Sequence, residues 1–171
     1  PDTFGYSAAI PQIMLESDVK YFYTTKMGWN DLNRFPYTTF KWKGIDGSSV
    51  LTHLHKIDVS PDVADVVYNI SDITNKQGFE RKLLPFGHGD GGGGPTREML
   101  ETGIRLEKGI PGCPTVSFEF ANDFLDRLEA KTSDNRFLPK WVGELYLEYH
   151  RGTYTSIAKN KLKKQLLKKL Q

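Results

Sequence analysis

Gly87-His88-Gly89-Asp90-Gly91-Gly92-Gly93-Gly94-Pro95 places one carboxylate in a run of glycines. The short apolar stretch Leu83-Leu84-Pro85-Phe86 stands before it, and a helical pattern over 96–107 follows. Glycine adopts backbone angles that side chains forbid and lets a ligand approach the main chain closely. Ordering such a loop costs conformational entropy. Pro95 stands where a helix begins, which suits its fixed φ. Strand, glycine turn and helix start together read as a site rather than a spacer; the competing reading is a flexible turn with an incidental aspartate.

Working outward, residues 7–17 carry Ile10, Ile13 and Met14 at helical spacing, with Pro11 tolerable in the first turn. Residues 19–25 are rich in β-formers and read as a strand. Two further strands, 37–43 and 49–53, flank Gly44-Ile45-Asp46-Gly47, a turn that closes a hairpin. A short helix is expected over 62–70, a strand over 83–86, a helix over 96–108 and a strand over 114–118. Asn122 can cap a helix over 123–131, whose Phe124, Leu125 and Leu128 share a face. A last strand is expected at 145–149 and a last helix at 156–170. Strand followed by helix, repeated, predicts an α/β fold with a parallel sheet and outer helices. A closed eight-fold barrel needs about 250 residues, and the chain opens in mid-motif, so it reads as part of a larger barrel-like domain.

The chain has 171 residues, 38% of them hydrophobic and 26% charged, which is the balance of a globular domain. A formal charge of +2 gives no argument for nucleic acid. Cys113 is the one cysteine, so no internal disulfide is possible and a reducing compartment is expected. No apolar run reaches the roughly 18 residues of a membrane span. Asn69-Ile70-Ser71 is a formal glycosylation sequon. The tail sets Leu162, Leu166, Leu167 and Leu170 against six lysines over 159–171, an amphipathic helix that packs on a neighbour or, alternatively, meets a membrane surface or an acidic partner.

Asp2 and Asp90 are the carboxylates in the most unusual settings. Asp2 lies in a turn, Pro1-Asp2-Thr3-Phe4-Gly5-Tyr6-Ser7, that leads into a helix. In parallel α/β folds catalytic groups sit in loops at the carboxyl ends of strands, and both aspartates suit that placement. Paired carboxylates are the equipment of glycoside hydrolysis, one attacking or activating water while the other shuttles the proton. Aromatic residues suit stacking on sugar rings, and among Phe4, Tyr6, Trp29, Trp42, Trp141 and Tyr154 the choice for that role is Trp29. His53 and His55 alternate along one strand face; a metal pair and a solvated or hydrogen-bonded face are the two readings.

Several motifs resemble one family in order along nearly the whole chain. Residues 1–8 with Pro11-Gln12-Ile13-Met14 look like the nucleophile segment of the glycoside hydrolase family 38 α-mannosidases, in their cytosolic and vacuolar branch. Thr25-Lys26-Met27-Gly28-Trp29-Asn30 is similar to that branch's Gln-Lys-Leu-Ser-Trp-Asn. Residues 35–40, 44–48 and 89–96 match as well, and so does the late run 143–156 with its His150-Arg151-Gly152-Thr153-Tyr154-Thr155-Ser156. The resemblance implies a retaining hydrolase that removes terminal α-linked mannose from oligosaccharides, in a zinc-containing barrel of the (β/α)7 type. It implies that residues 1–155 are part of that barrel and that 156–171 begin a following helical bundle. Asp2 is then nucleophile and zinc ligand, Asp90 the acid/base, and Lys26, Trp29, His150 and Arg151 line the sugar site. A cation at Lys26 favours the charged, attacking carboxylate, whereas the acid must hold its proton near neutral pH. Arg151 could equally cap the barrel through a buried salt bridge.

The departures from the family pattern concern metal. Its other zinc ligands come from a His-x-Asp strand before the nucleophile and a His-Asp motif after it, and neither lies in this chain. Zinc needs about four ligands, so zinc (or cobalt) binding and activity are expected to need other segments of the same enzyme; a homo-oligomer is a separate expectation. His53-Leu54-His55-Lys56 also replaces the family's His-x-Pro-Pro. Two rival functions remain open: a catalytically incomplete piece with a structural or carbohydrate-binding role, and a phosphate-cradling loop, which lacks the Lys-Ser/Thr ending of a nucleotide loop.

Overall fold

The computed structural model describes residues 2–55, 60–74, 79–89 and 92–149. The turn at 44–47 closes the expected hairpin. In it β2 (Thr39–Lys43) and β3 (Ser49–Leu54) pair antiparallel, with Phe40 opposite Thr52 and Trp42 opposite Val50. Gly47 takes φ 95°, and Asp46 accepts from the Ser48 backbone N–H at 3.0 Å, so the turn chemistry lies in the sequence itself. β1 (Tyr21–Thr24) adds parallel to β3, and β4 (Lys140–Val142) adds parallel to β2, giving the order β1-β3-β2-β4. The sheet is therefore mixed and not parallel throughout. A tight turn joins only antiparallel neighbours, and the hairpin reverses the chain once inside the sheet.

Helices α1 (Ile10–Glu16), α2 (Val63–Ser71), α3 (Arg97–Glu107) and α4 (Ala121–Thr132) fall where periodicity puts them. Thr96 caps α3 by accepting from the Met99 N–H at 3.2 Å, and Asp62 caps α2 by accepting from the Asp65 N–H at 2.8 Å. Asn122 does not cap α4: the N-cap position is Phe120, and the helix already includes Ala121.

Three predicted strands do not form as such. Pro85 lacks an N–H, and Leu83 gives its own N–H to His53 Nε2 (3.4 Å) while its carbonyl accepts from the Tyr23 hydroxyl (3.1 Å). Side chains, not a neighbouring strand, satisfy Leu83. Residues 114–118 are likewise unpaired as a strand; the Phe118 N–H donates to Glu107 Oε1 at 2.7 Å, and its ring covers Gly103, where a Cβ would lie 2.3 Å from it. At 145–149 the pairing shrinks to one bridge, Leu145 with Tyr6. β4, three residues long, is too short to leave a periodic signal. The predicted helix over 156–170 lies outside the described residues.

Both faces of the sheet are covered. Phe22, Phe40, Trp42, Val50 and Leu54 face one cluster together with Met14, Tyr6, Leu145 and Leu147. Leu51 faces the other, under Phe124, Leu125 and Leu128 of α4. Burying each of these leucines contributes about 2 kcal/mol relative to leaving it in water. Two-sided burial explains why β3 reads as a nearly continuous buried run from Val50 to Leu54. Asn69 of the sequon is also buried within α2, where its amide donates to the Asp65 carbonyl at 2.9 Å, so it is closed to a glycosyl group in this fold. No helix among the described residues is long and apolar enough to cross a membrane.

Candidate functional site

At the carboxyl end of β1 the chain makes a single 3-10 turn, Lys26–Gly28. Lys26 has only 10% of its side chain exposed, and it aims its ammonium at Asp2 Oδ1, 2.9 Å away; Asp2 is 80% exposed. The same ammonium lies 4.4 Å from the centroid of one Trp29 ring and 5.7 Å from the Phe4 ring. The Phe4 and Trp29 rings are 6.3 Å apart and tilted by 50°. The aliphatic stem of the lysine is thus buried among aromatics while its head is held at a free-standing carboxylate.

Thr24 assembles this corner. Its hydroxyl pairs with the Tyr6 hydroxyl at 2.5 Å and accepts from the Lys26 backbone N–H at 3.2 Å. Tyr6 in turn exchanges two backbone bonds with Leu145, at 2.8 and 2.9 Å. Three segments far apart in sequence, around residues 2–6, 24–29 and 145–149, therefore meet here. Of the residues singled out from sequence, Asp2, Lys26 and Trp29 are brought together. Asp90, His150 and Arg151 lie outside the described residues, and so does any separation between the two proposed catalytic carboxyl groups. The described flanks of the glycine loop, 87–89 and 92–95, lie against each other: Gly87 has φ 141°, a Cβ there would sit 3.2 Å from the Gly93 carbonyl oxygen, and the His88 N–H reaches the Gly94 carbonyl at 3.3 Å.

Two residues that the sequence does not single out also shape the corner. Phe4 completes the aromatic wall. Glu148 is buried and accepts from the backbone of 31–33, immediately after Trp29. It leaves no signal in the sequence, where Glu148 takes the polar place beside Leu147, yet it is buried next to Leu145 and Leu147.

Beside the corner, at the same end of the sheet, lies a cavity of about 270 Å³. Asp72 there pairs with Arg34 and, at 3.5 Å, with Lys82. His55 lines the cavity, but neither ring nitrogen has a hydrogen-bond partner among the described residues. His53 shares Nδ1 with the Thr39 hydroxyl at 2.9 Å and stacks on Tyr23. Burial, reinforced by the Lys82 charge, pushes both imidazoles down to about 3. Of the solvated or hydrogen-bonded face expected for this pair, solvation is corrected, since both rings are buried and neutral, while hydrogen bonding holds for His53. Among the described residues no group of three His, Cys, Asp or Glu side chains is arranged to hold a metal ion, so the described residues do not complete a zinc site.

The model of the glycosyl hydrolases family 38 N-terminal domain matches residues 1–144. Over 164 residues the chain is 46% identical to alpha-mannosidase G of Dictyostelium discoideum, covering 94% of this chain and 15% of that protein. It is 43% identical over 164 residues to human alpha-mannosidase 2C1, with the same coverage of 94% and 15%. It is 40% identical over 169 residues to an alpha-mannosidase of Saccharomyces cerevisiae, covering 94% and 16%. The chain thus spans about 15% of the length of these relatives. Among solved structures, an alpha-mannosidase from Enterococcus faecalis V583 superposes with a TM-score of 0.58 at 17% identity, over 85% of this chain and 17% of that one, which is a likeness of fold.

Proposed function

Since this chain belongs to glycosyl hydrolase family 38, we propose that it forms part of the catalytic domain of a retaining α-mannosidase acting on terminal α-linked mannose of oligosaccharides. Residues 1–155 would be a portion of a (β/α)7-type barrel, and 156–171 the start of a helical domain. The observation that carries the reading is the Lys26–Asp2 pair at the carboxyl end of β1, walled by Trp29 and Phe4.

In the proposed reaction a carboxylate oxygen of Asp2 bonds to the anomeric carbon as the glycosidic C–O bond breaks, and Asp90 gives its proton to the departing oxygen. Water then attacks the same carbon, returns a proton to Asp90 and releases Asp2, so configuration is retained. Lys26, with its ammonium 2.9 Å from Asp2 Oδ1, orients that carboxylate for attack. Trp29 offers a ring to the apolar face of the sugar, while His150 and Arg151 are proposed to hold hydroxyls. Asp2 is also proposed as one ligand of a zinc ion whose others come from outside this chain.

The test is hydrolysis of an aryl α-mannoside by the enzyme that carries this chain, with the anomer of the released mannose followed by NMR. Retention is expected, with loss of about 10³-fold or more in kcat on Asp2→Asn. Unchanged turnover in that variant would overturn the assignment. A second reading, a carbohydrate-binding piece without turnover, is favoured by the incomplete metal site among the described residues. It predicts mannoside binding with no hydrolysis, whether or not zinc is added.

A further inference from the structure

We propose that Glu148 is a positioning residue for this reaction: its carboxylate sets the loop that holds Trp29 and Lys26 against Asp2. The inference rests on the mannosidase reading above and concerns a residue with no role in it so far. Beyond Trp29 the chain turns sharply, and three successive backbone N–H groups converge on one carboxylate. Asp31 and Leu32 donate to Glu148 Oε2, each at 2.5 Å, and Asn33 donates to Oε1 at 2.9 Å. The Asn33 side-chain amide adds a bond to Oε1 at 2.6 Å. Hydrogen bonds to an ionised acceptor are the strong ones. These bonds, led by the Leu32 N–H, hold the Glu148 carboxyl below the usual carboxylate range.

The grip extends backwards along the loop. The Glu148 N–H donates to Asn30 Oδ1 at 2.8 Å, and the Asn30 amide donates to the Met27 carbonyl at 2.9 Å. The Tyr149 N–H reaches the Trp29 carbonyl at 3.3 Å, and the Trp29 N–H reaches the Lys26 carbonyl at 3.1 Å. Every residue from Met27 to Asn33 except Gly28 is thus bonded, directly or through Asn30, to residues 148–149. Lys26 and Trp29 are the first links of that chain of bonds. A glutamine at 148 would offer one carbonyl oxygen and turn an NH₂ toward backbone N–H groups, so it cannot hold the same turn. An aspartate keeps the charge one methylene short.

The experiment compares E148Q, E148D, K26M and the double variant K26M/E148Q in the enzyme that carries this chain, with an aryl α-mannoside as substrate. Rates are expressed per folded molecule, from circular dichroism and thermal melting. Misplacing a reacting group by an ångström costs up to about 10²-fold. E148Q is expected to lose about 10–100-fold in kcat with KM changed less than about threefold, and E148D to recover part of that loss. The double variant should be little worse than the poorer single one, because both changes disturb one arrangement. Either of two results overturns the proposal: kcat per folded E148Q molecule within about twofold of the parent, or losses for K26M and E148Q that multiply as for independent sites. An inactive parent enzyme would defeat the mannosidase reading and this inference with it, whereas an active parent with an unimpaired E148Q variant defeats this inference alone.

Discussion

Two lysine–aspartate pairs stand at the same end of the sheet, and their surroundings divide their work. In Lys26–Asp2 the carboxylate is 80% exposed and the lysine is clasped by aromatic rings. In Lys82–Asp72 both side chains are buried, at 2% and 11% exposure, and Arg34 joins the carboxylate. A pair whose carboxylate stays in water adds little to stability, so its value is the reach of Asp2 into open space. A buried pair has given up solvent, so removing one partner strands the other. The first pair is arranged for an incoming molecule; the second ties α2 and the segment before the glycine loop to the loop that carries Arg34.

The largest effect expected from this contrast is on stability at the buried pair. Asp72→Asn takes the carboxylate from the buried Lys82 and should cost about 3 kcal/mol in urea unfolding, while Asp2→Asn should cost under about 1 kcal/mol. Equal costs would erase the distinction between the pairs. Next, Lys26→Met should lower kcat/KM for an aryl mannoside by about 10–100-fold while leaving the unfolding midpoint nearly in place; a variant that melts early instead would make Lys26 part of the scaffold. The smallest effect is a pH dependence beside the buried pair. His53 and His55 have their pKa lowered from 6.5 to about 3 by burial, so the unfolded chain takes up these protons first as pH falls. Their contribution is complete above pH 6.5 and declines from there toward pH 3, by up to about 1.4 kcal/mol per pH unit for each histidine. His55→Leu should remove roughly half of that slope between pH 6 and 5, and parallel curves for parent and variant would show that His55 is not held neutral.

How far the sequence could be read depended on whether neighbours in the chain were also neighbours in space. The hairpin was legible because the two glycines and Asp46 of its turn carry their own conformation. Helix α4 was legible because Phe124, Leu125 and Leu128 repeat at helical spacing. Residues 83–86 misled because an apolar run with strand composition is satisfied by His53 and Tyr23 from elsewhere, and Pro85 forbids a full ladder. The parallel sheet was overdrawn because strand–helix alternation says nothing about direction once a hairpin intervenes. At the site, Lys26, Trp29 and Asp2 could be picked out by motif, and they do converge. Glu148 could not, since its partners at 31–33 are far away in the chain and a glutamate near an apolar run looks like an ordinary surface residue.

The paired backbone bonds between Tyr6 and Leu145 have a topological consequence. Positions 6 and 145, far apart in the chain, are fixed side by side, like the two ends of a purse string. A disturbance that loosens residues 2–6 is therefore transmitted directly to residues 145–149, and the reverse.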